Sequence, residues 1–170
     1  MGYAAGMSDL SAPVSFTNDQ LETWSALATV LEWLPSALDA QLHSAADLTH
    51  FEYGILYALS TATEHTLRMS TLADYANSSL SRLSRAVVRL ENKGWVRRSP
   101  DAQDGRYTLA ILTGPGLQKV DQATPGHVQT VHRLIFEPLT QHQARQLRDI
   151  SRRVMSAVRT ENGWLPPSTR

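Results

Sequence analysis

The stretch LRMSTLADYANSSLSRLSRAVVRLENKGWVRR, residues 67–98, leaves a chain few ways to fold. Ser70 or Thr71 can cap a short helix through Tyr75, with Leu72, Ala73 and Ala76 turned inward. Asn77 tolerates a left-handed turn, and Ser79 fits the cap of a second helix in which Leu83, Ala86, Val87 and Leu90 form the buried stripe. Gly94 follows Lys93 as the C-terminal cap, a place where glycine reaches positive φ without strain. Two short helices about a tight turn make a helix-turn-helix. After Gly94 the period switches to two. Trp95–Ser99 and Tyr107–Leu112 read as strands, with Pro100, Asp101, Asp104 and Gly105 marking the turn between them. The expected fold is therefore mainly α with a small β-hairpin: a winged helix-turn-helix joined to long flanking helices.

The outward face of the second helix carries the functional signal. Ser81, Arg82, Ser84, Arg85 and Arg89 lie off the buried stripe, and no acid stands between Asn77 and Arg89. A helix that merely faces solvent more usually interleaves Glu with its bases. Arginine suits both phosphate contacts and the bidentate reading of guanine, and small serines let a backbone approach a groove. Arg106 sits near the wing tip, where a cation can enter a minor groove, or can pair with Asp104 or Asp101. The overall charge hides this arrangement, because 16 basic and 16 acidic residues cancel. Residues 1–67 hold eight acids and no Lys or Arg, whereas residues 68–106 hold eight bases against four acids. A neutral chain with a basic middle can still steer a polyanion.

The flanks are helical. From Asn18, Leu21, Trp24, Ala28, Leu31, Leu38 and Leu42 recur at helical spacing, with Pro35 expected to kink the helix. Thr49 is placed to cap the next helix, with Tyr53, Leu56, Tyr57 and Leu59 on its inner side. Thr113 opens a helix carrying Leu117 and Val120, which Thr124-Pro125-Gly126 is expected to kink or split before Val128, Val131 and Ile135. Thr140 and Gln143 form a capping box for a last helix with Leu147, Ile150, Val154 and Val158 inward and Arg145, Arg148, Arg152, Arg153 and Arg159 outward. Residues 1–16 and 161–170 read as tails.

In this order of parts the chain resembles the MarR family of bacterial transcriptional regulators over roughly Asp19 to Thr160. The resemblance rests on DLTHFEYGILYALS, LADYA, LSRAVVRLENKGWVRR, the wing DAQDGR and the exit ILTGPG. It implies one domain, 17–160, with dimerisation helices at 17–46 and 114–160 and the winged helix at about 49–112. It further implies a homodimer whose paired recognition helices enter adjacent major grooves of a palindromic operator in double-stranded DNA. On this resemblance the DNA-binding residues are Ser79, Ser81, Arg82, Ser84, Arg85 and Arg89 on the recognition helix and Asp104 and Arg106 on the wing. Many members bind small aromatic acids, and Trp24, Trp33, Phe51, Tyr53 and Tyr57 come from segments able to line such a cleft or to fill a core.

Two departures narrow the resemblance. Trp95 stands where the family usually has an aliphatic residue, and the cysteine of its peroxide sensors is missing because the chain has none. The six histidines show no metal-ligand spacing, so no metal or cofactor is expected. The longest apolar runs, such as Ile55–Leu59, fall far short of the roughly 18 residues of a membrane span, so a cytoplasmic protein is expected. No phosphate loop or nucleophile elbow points to an enzyme. The leading function is a DNA-binding repressor relieved by a small effector, and the alternative is a winged-helix module that binds a protein.

Overall fold

The computed structural model describes residues 15–162, so the tails expected at either end lie almost wholly outside the described residues. The chain divides after Pro35 into two units. The first holds the start of helix α1 (Asn18–Ala46), where Thr17 and Gln20 cap each other: Gln20 N–H donates to Thr17 Oγ1 at 3.3 Å and Thr17 N–H to Gln20 Oε1 at 3.0 Å. α1 is assigned as one helix through Pro35.

The second unit contains the end of α1 and then α2 (His50–Thr61), β1 (Thr66–Arg68), α3 (Met69–Tyr75), α4 (Leu80–Asn92), β2 (Val96–Pro100), β3 (Thr108–Leu112), α5 (Gly114–Val131) and α6 (Gln141–Asn162). The strands form one antiparallel sheet in the order β1-β3-β2, with Val96 opposite Leu112 and Thr66 opposite Ile111. The hairpin is thus part of a three-stranded sheet, and β1 is an addition to the sequence reading. Three residues are too few to show a period.

The core is built from Leu42, Leu48, Ile55, Leu56, Leu59, Leu72, Leu83, Val87, Leu90 and Val96, all fully buried. Each such aliphatic side chain contributes about 1.5–3 kcal/mol by leaving water. Local chemistry sets the boundaries. Ser79 Oγ accepts from Arg82 N–H at 3.2 Å to start α4, Asn77 takes φ 43° in the preceding turn, and Gly94 takes φ 73° beyond its end. Thr113 Oγ1 accepts from Gly116 N–H at 3.1 Å to start α5, and Thr140 with Gln143 forms the box at the start of α6.

Four expectations are corrected. α3 starts one residue before Ser70, with extended Arg68 as its cap and no capping side chain, because β1 runs directly into the helix and leaves Ser70 and Thr71 exposed. α5 is not split at Pro125: it continues to Val131, with Thr124 Oγ1 donating to Val120 O at 2.7 Å, and widens into a π-helical turn at His132–Phe136. Tyr57 is exposed rather than inward, because it faces a cavity. The apolar stripes of the first unit and of α6 are uncovered: Leu21, Trp24, Leu31, Leu147, Ile150, Val154 and Val158 are all exposed.

Trp95 joins the hairpin to α5. Its carbonyl accepts from Thr113 N–H at 3.0 Å, and a Cβ on Gly116 would collide with that same carbonyl oxygen and with the Leu112 side chain. Backbone cannot yield as a side-chain tip can. Gly116→Ala should lower stability in urea denaturation by about 2 kcal/mol, whereas Gly114→Ala, where an added Cβ meets nothing within 4 Å, should stay within about 0.5 kcal/mol of the parent chain.

Candidate nucleic-acid interface

Burial of Leu83, Ala86, Val87 and Leu90 turns the opposite face of α4 to solvent. Ser81, Arg82, Arg85 and Arg89 are exposed, Ser84 is half-buried, and Ser79 is exposed at the helix start with its hydroxyl oxygen already accepting the capping bond. The three arginines occupy neighbouring rows of one surface. They differ in how they are held.

The first turn of α2 supplies two of the supports. Thr49 and Glu52 form a capping box, in which Glu52 N–H donates to Thr49 Oγ1 and Thr49 N–H to Glu52 Oε2, both at 3.1 Å. The other carboxylate oxygen of Glu52 accepts from Arg89 Nε at 2.8 Å, and the Glu52 side chain is only 8% exposed. Next to it, the Phe51 ring centroid lies 4.5 Å from the guanidinium carbon of Arg82. Arg85 has no partner among the described residues.

At the wing, Arg106 grips Asp104 through both Nε and Nη2, at 2.9 and 2.6 Å, while its side chain stays 84% exposed. The Arg106 hydrogen bonds hold the Asp104 carboxyl below its ordinary value and raise the Arg106 guanidinium. Asp101 is not the partner of Arg106. It accepts from Gln103 N–H and from Arg68, and it too is held below the ordinary carboxylate value, first by the Gln103 hydrogen bond. Arg68 also lies 4.3 Å from the Tyr107 ring centroid and so fixes the base of the wing. Lys93, beyond the end of α4, ties to Asp47 at 2.7 Å.

Sequence reasoning missed the structural roles of Glu52, Phe51 and Arg68. The Thr49-x-x-Glu52 spacing is a local signal that could have indicated a capping box, but the partners of Glu52 and Arg68 lie 37 and 33 residues away and no local pattern names them.

A cavity of about 350 Å³ lies between α2 and the end of α5, lined by Tyr53, Tyr57, His127, Val128, Val131 and Phe136 among others. Tyr53 and Tyr57 therefore line a cavity of the second unit, and Phe51 of the same unit does not. Tyr53 hydrogen-bonds Thr124 at 3.1 Å, and the His127 ring sits 4.6 Å from Tyr53 and 5.7 Å from His50. No group of three metal-ligating side chains occurs among the described residues.

This geometry, an arginine-bearing helix after a tight turn with a sheet-borne wing beside it, has close counterparts. A family model described as MarR family matches residues 46–106. The chain is similar to Sco3205, a MarR family transcriptional regulator from Streptomyces coelicolor solved in complex with DNA, at 37% identity and a TM-score of 0.82, covering 86% of this chain and 92% of that one. The chain belongs to the MarR family. AbsC, another MarR family transcriptional regulator from Streptomyces coelicolor, is 30% identical with a TM-score of 0.82 over 86% of this chain and 99% of its own. The HTH-type transcriptional regulator YdcH of Bacillus subtilis is 35% identical over 81 residues, which is 46% of this chain and 55% of that protein. The chain thus spans about half the length of that curated relative. The MarR match over 46–106 contains α4, β2 and the turn through Arg106, and ends before β3.

Burial, and secondarily the neighbouring His50, lowers the pKa of His127 from 6.5. A base whose folded pKa is depressed binds fewer protons in the native state than when unfolded. Its stabilising contribution is therefore present above about pH 6.5 and lost as the pH falls below it. The urea midpoint should drop between pH 7.5 and 5.5, and drop less in His127→Gln. An equal drop in the variant would place the acid sensitivity elsewhere.

Proposed function

We propose that this MarR family chain is a sequence-specific regulator that binds double-stranded DNA as a homodimer, acts in the cytoplasm as a repressor, and is released by a small aromatic effector. The observation that carries the reading is the exposed row of Arg82, Arg85 and Arg89 on α4, free of any interleaved acid. Ser79, Ser81 and Ser84 share the surface and let it approach a major groove, and Asp104 aims Arg106 toward the adjoining minor groove. The similarity to Sco3205, solved in complex with DNA, supports DNA binding by this chain.

The dimer reading rests on the uncovered apolar residues of α1 and α6. Ile150 is 58% exposed and Leu31 58%, although both lie on continuous stripes of the kind helices normally bury. In the proposed domain, 17–46 and 114–160 are the dimerisation segments and 49–112 is the winged helix. Pairing two copies would set two recognition helices one DNA turn apart, about 34 Å, which favours a palindromic operator. The cavity beside Tyr53 and Tyr57 is the proposed effector site, since a ligand there would sit between α5 and the helix that supports α4. No helix of the described residues is long and apolar enough to cross a membrane.

Selection of bound sequences from a random DNA library at two salt concentrations tests the reading. A palindromic site is expected, with affinity falling steeply as salt rises. Arg85→Ala should cost about 1–3 kcal/mol at one base position, whereas Arg106→Ala, if the wing meets phosphate, should weaken all sequences alike. Equal affinity for operator and random DNA at physiological salt would overturn specific regulation in favour of the protein-binding module.

Light scattering tests the dimer separately. Ile150→Asp should turn a concentration-independent dimer into monomer while leaving helix content unchanged. A variant that stays dimeric would remove α6 from the interface.

A further inference from the structure

We infer that Phe51 and Glu52, neighbours in the first turn of α2, are positioning residues for DNA readout: they hold Arg82 and Arg89 by parts of the guanidinium that DNA does not need. The inference rests on the DNA-binding reading and deepens it.

The geometry of the two tethers is the basis. Arg89 meets Glu52 through Nε alone, so both terminal nitrogens of its fork remain free on the exposed side. Arg82 lies over the face of Phe51, and a contact to the ring face leaves the in-plane N–H donors unspent. The other arginine–carboxylate pairs of the winged helix are built differently. Arg68, Arg98 and Arg106 each engage their carboxylate through Nε and Nη2 together, which occupies that edge of the fork.

Glu52 is also a poor candidate for a casual surface partner. One oxygen is committed to the cap of α2, the side chain is almost wholly buried, and a buried carboxylate needs compensation. It therefore forms a fixed point against which Arg89 is held. A free arginine loses rotamer entropy when DNA immobilises it, and an arginine already held in place loses less. The saving appears only where the held position matches the contact. A correct site gains from it and a wrong site does not, so the tethers act on specificity more than on gross affinity. Arg85, without a partner among the described residues, lies between the two and keeps the freedom to adapt.

The operator obtained from random DNA gives the readout: the ratio of Kd on random DNA to Kd on operator. Glu52→Gln keeps an acceptor for the α2 cap and removes the charge that holds Arg89. The ratio should fall about fivefold, the scale of one immobilised side chain. The loss should come from weaker operator binding, with binding to random DNA kept or strengthened because a negative charge is gone. Adding Glu52→Gln to Arg89→Gln should lower the ratio no further. Phe51→Leu should lower the ratio similarly, and Phe51→Tyr should restore it.

An unchanged ratio in both Glu52→Gln and Phe51→Leu overturns the inference, as does full additivity with Arg89→Gln. So does an equal loss on operator and random DNA, the mark of a structural role alone. Should Glu52→Gln fail to fold, Phe51→Leu with Phe51→Tyr decides. Absence of any sequence preference in the unaltered chain overturns the DNA reading and the tethers with it, and is distinguishable because no substitution is involved.

Discussion

The docking of α4 through Leu83, Ala86, Val87 and Leu90 is the contact on which the remainder of the molecule depends. A helix of 13 residues is marginal by itself, so its place is set by the face it buries. Once four positions at helical spacing are committed to the core, the rotation of the helix is fixed and the arginines have only the opposite side available. One event of packing thus creates both the stability of the lobe and its basic surface. The sheet continues the same core through Val96, Ala110 and Leu112, and Gly116 lets α5 approach the backbone at Trp95.

Charge adds direction to what packing has placed. Net neutrality is compatible with a basic surface because the acids near α4 are pinned to particular cations: Glu52 to Arg89, Asp47 to Lys93, Glu91 to Arg98. Pairing of this kind does not simply cancel a cation. It fixes where the cation sits, and it removes solitary carboxylates whose field would repel a phosphate backbone. Asp104 does the same for Arg106, leaving the arginine exposed while restricting its direction.

Much of the fold was legible because its punctuation is local. Ser79, Gly94, Thr113 and the Thr140–Gln143 box each act within four residues, and the stripe of α4 needs only a period of 3.6. The three-residue strand β1 was hidden, since its existence depends on Leu109, Ala110 and Ile111 lying across from it. Pro125 does not split α5, which packs along α2 and carries on to Val131. At the interface the exposed row was legible and its supports were not. Periodicity shows which way Arg89 points, but only the folded lobe shows that Glu52 stands behind it.

The apolar stripes of α1 and α6 mark the limit of what one chain can explain. Helical periodicity places Leu147, Ile150, Val154 and Val158 on an inward face, and the single chain leaves them exposed. Both statements hold if inward means toward a second copy. Periodicity reports that a face is apolar and is silent about which molecule covers it. The winged lobe, by contrast, closes its core within one chain, with Leu72, Leu83, Leu90 and Val96 fully buried. On the dimer proposal, folding of the lobe and assembly of the helices would be separable events. In the proposed dimer, a ligand in the cavity between α2 and α5 would act where the lobe meets a proposed dimerisation helix, and would shift the spacing of the two recognition helices without disturbing how either one is built.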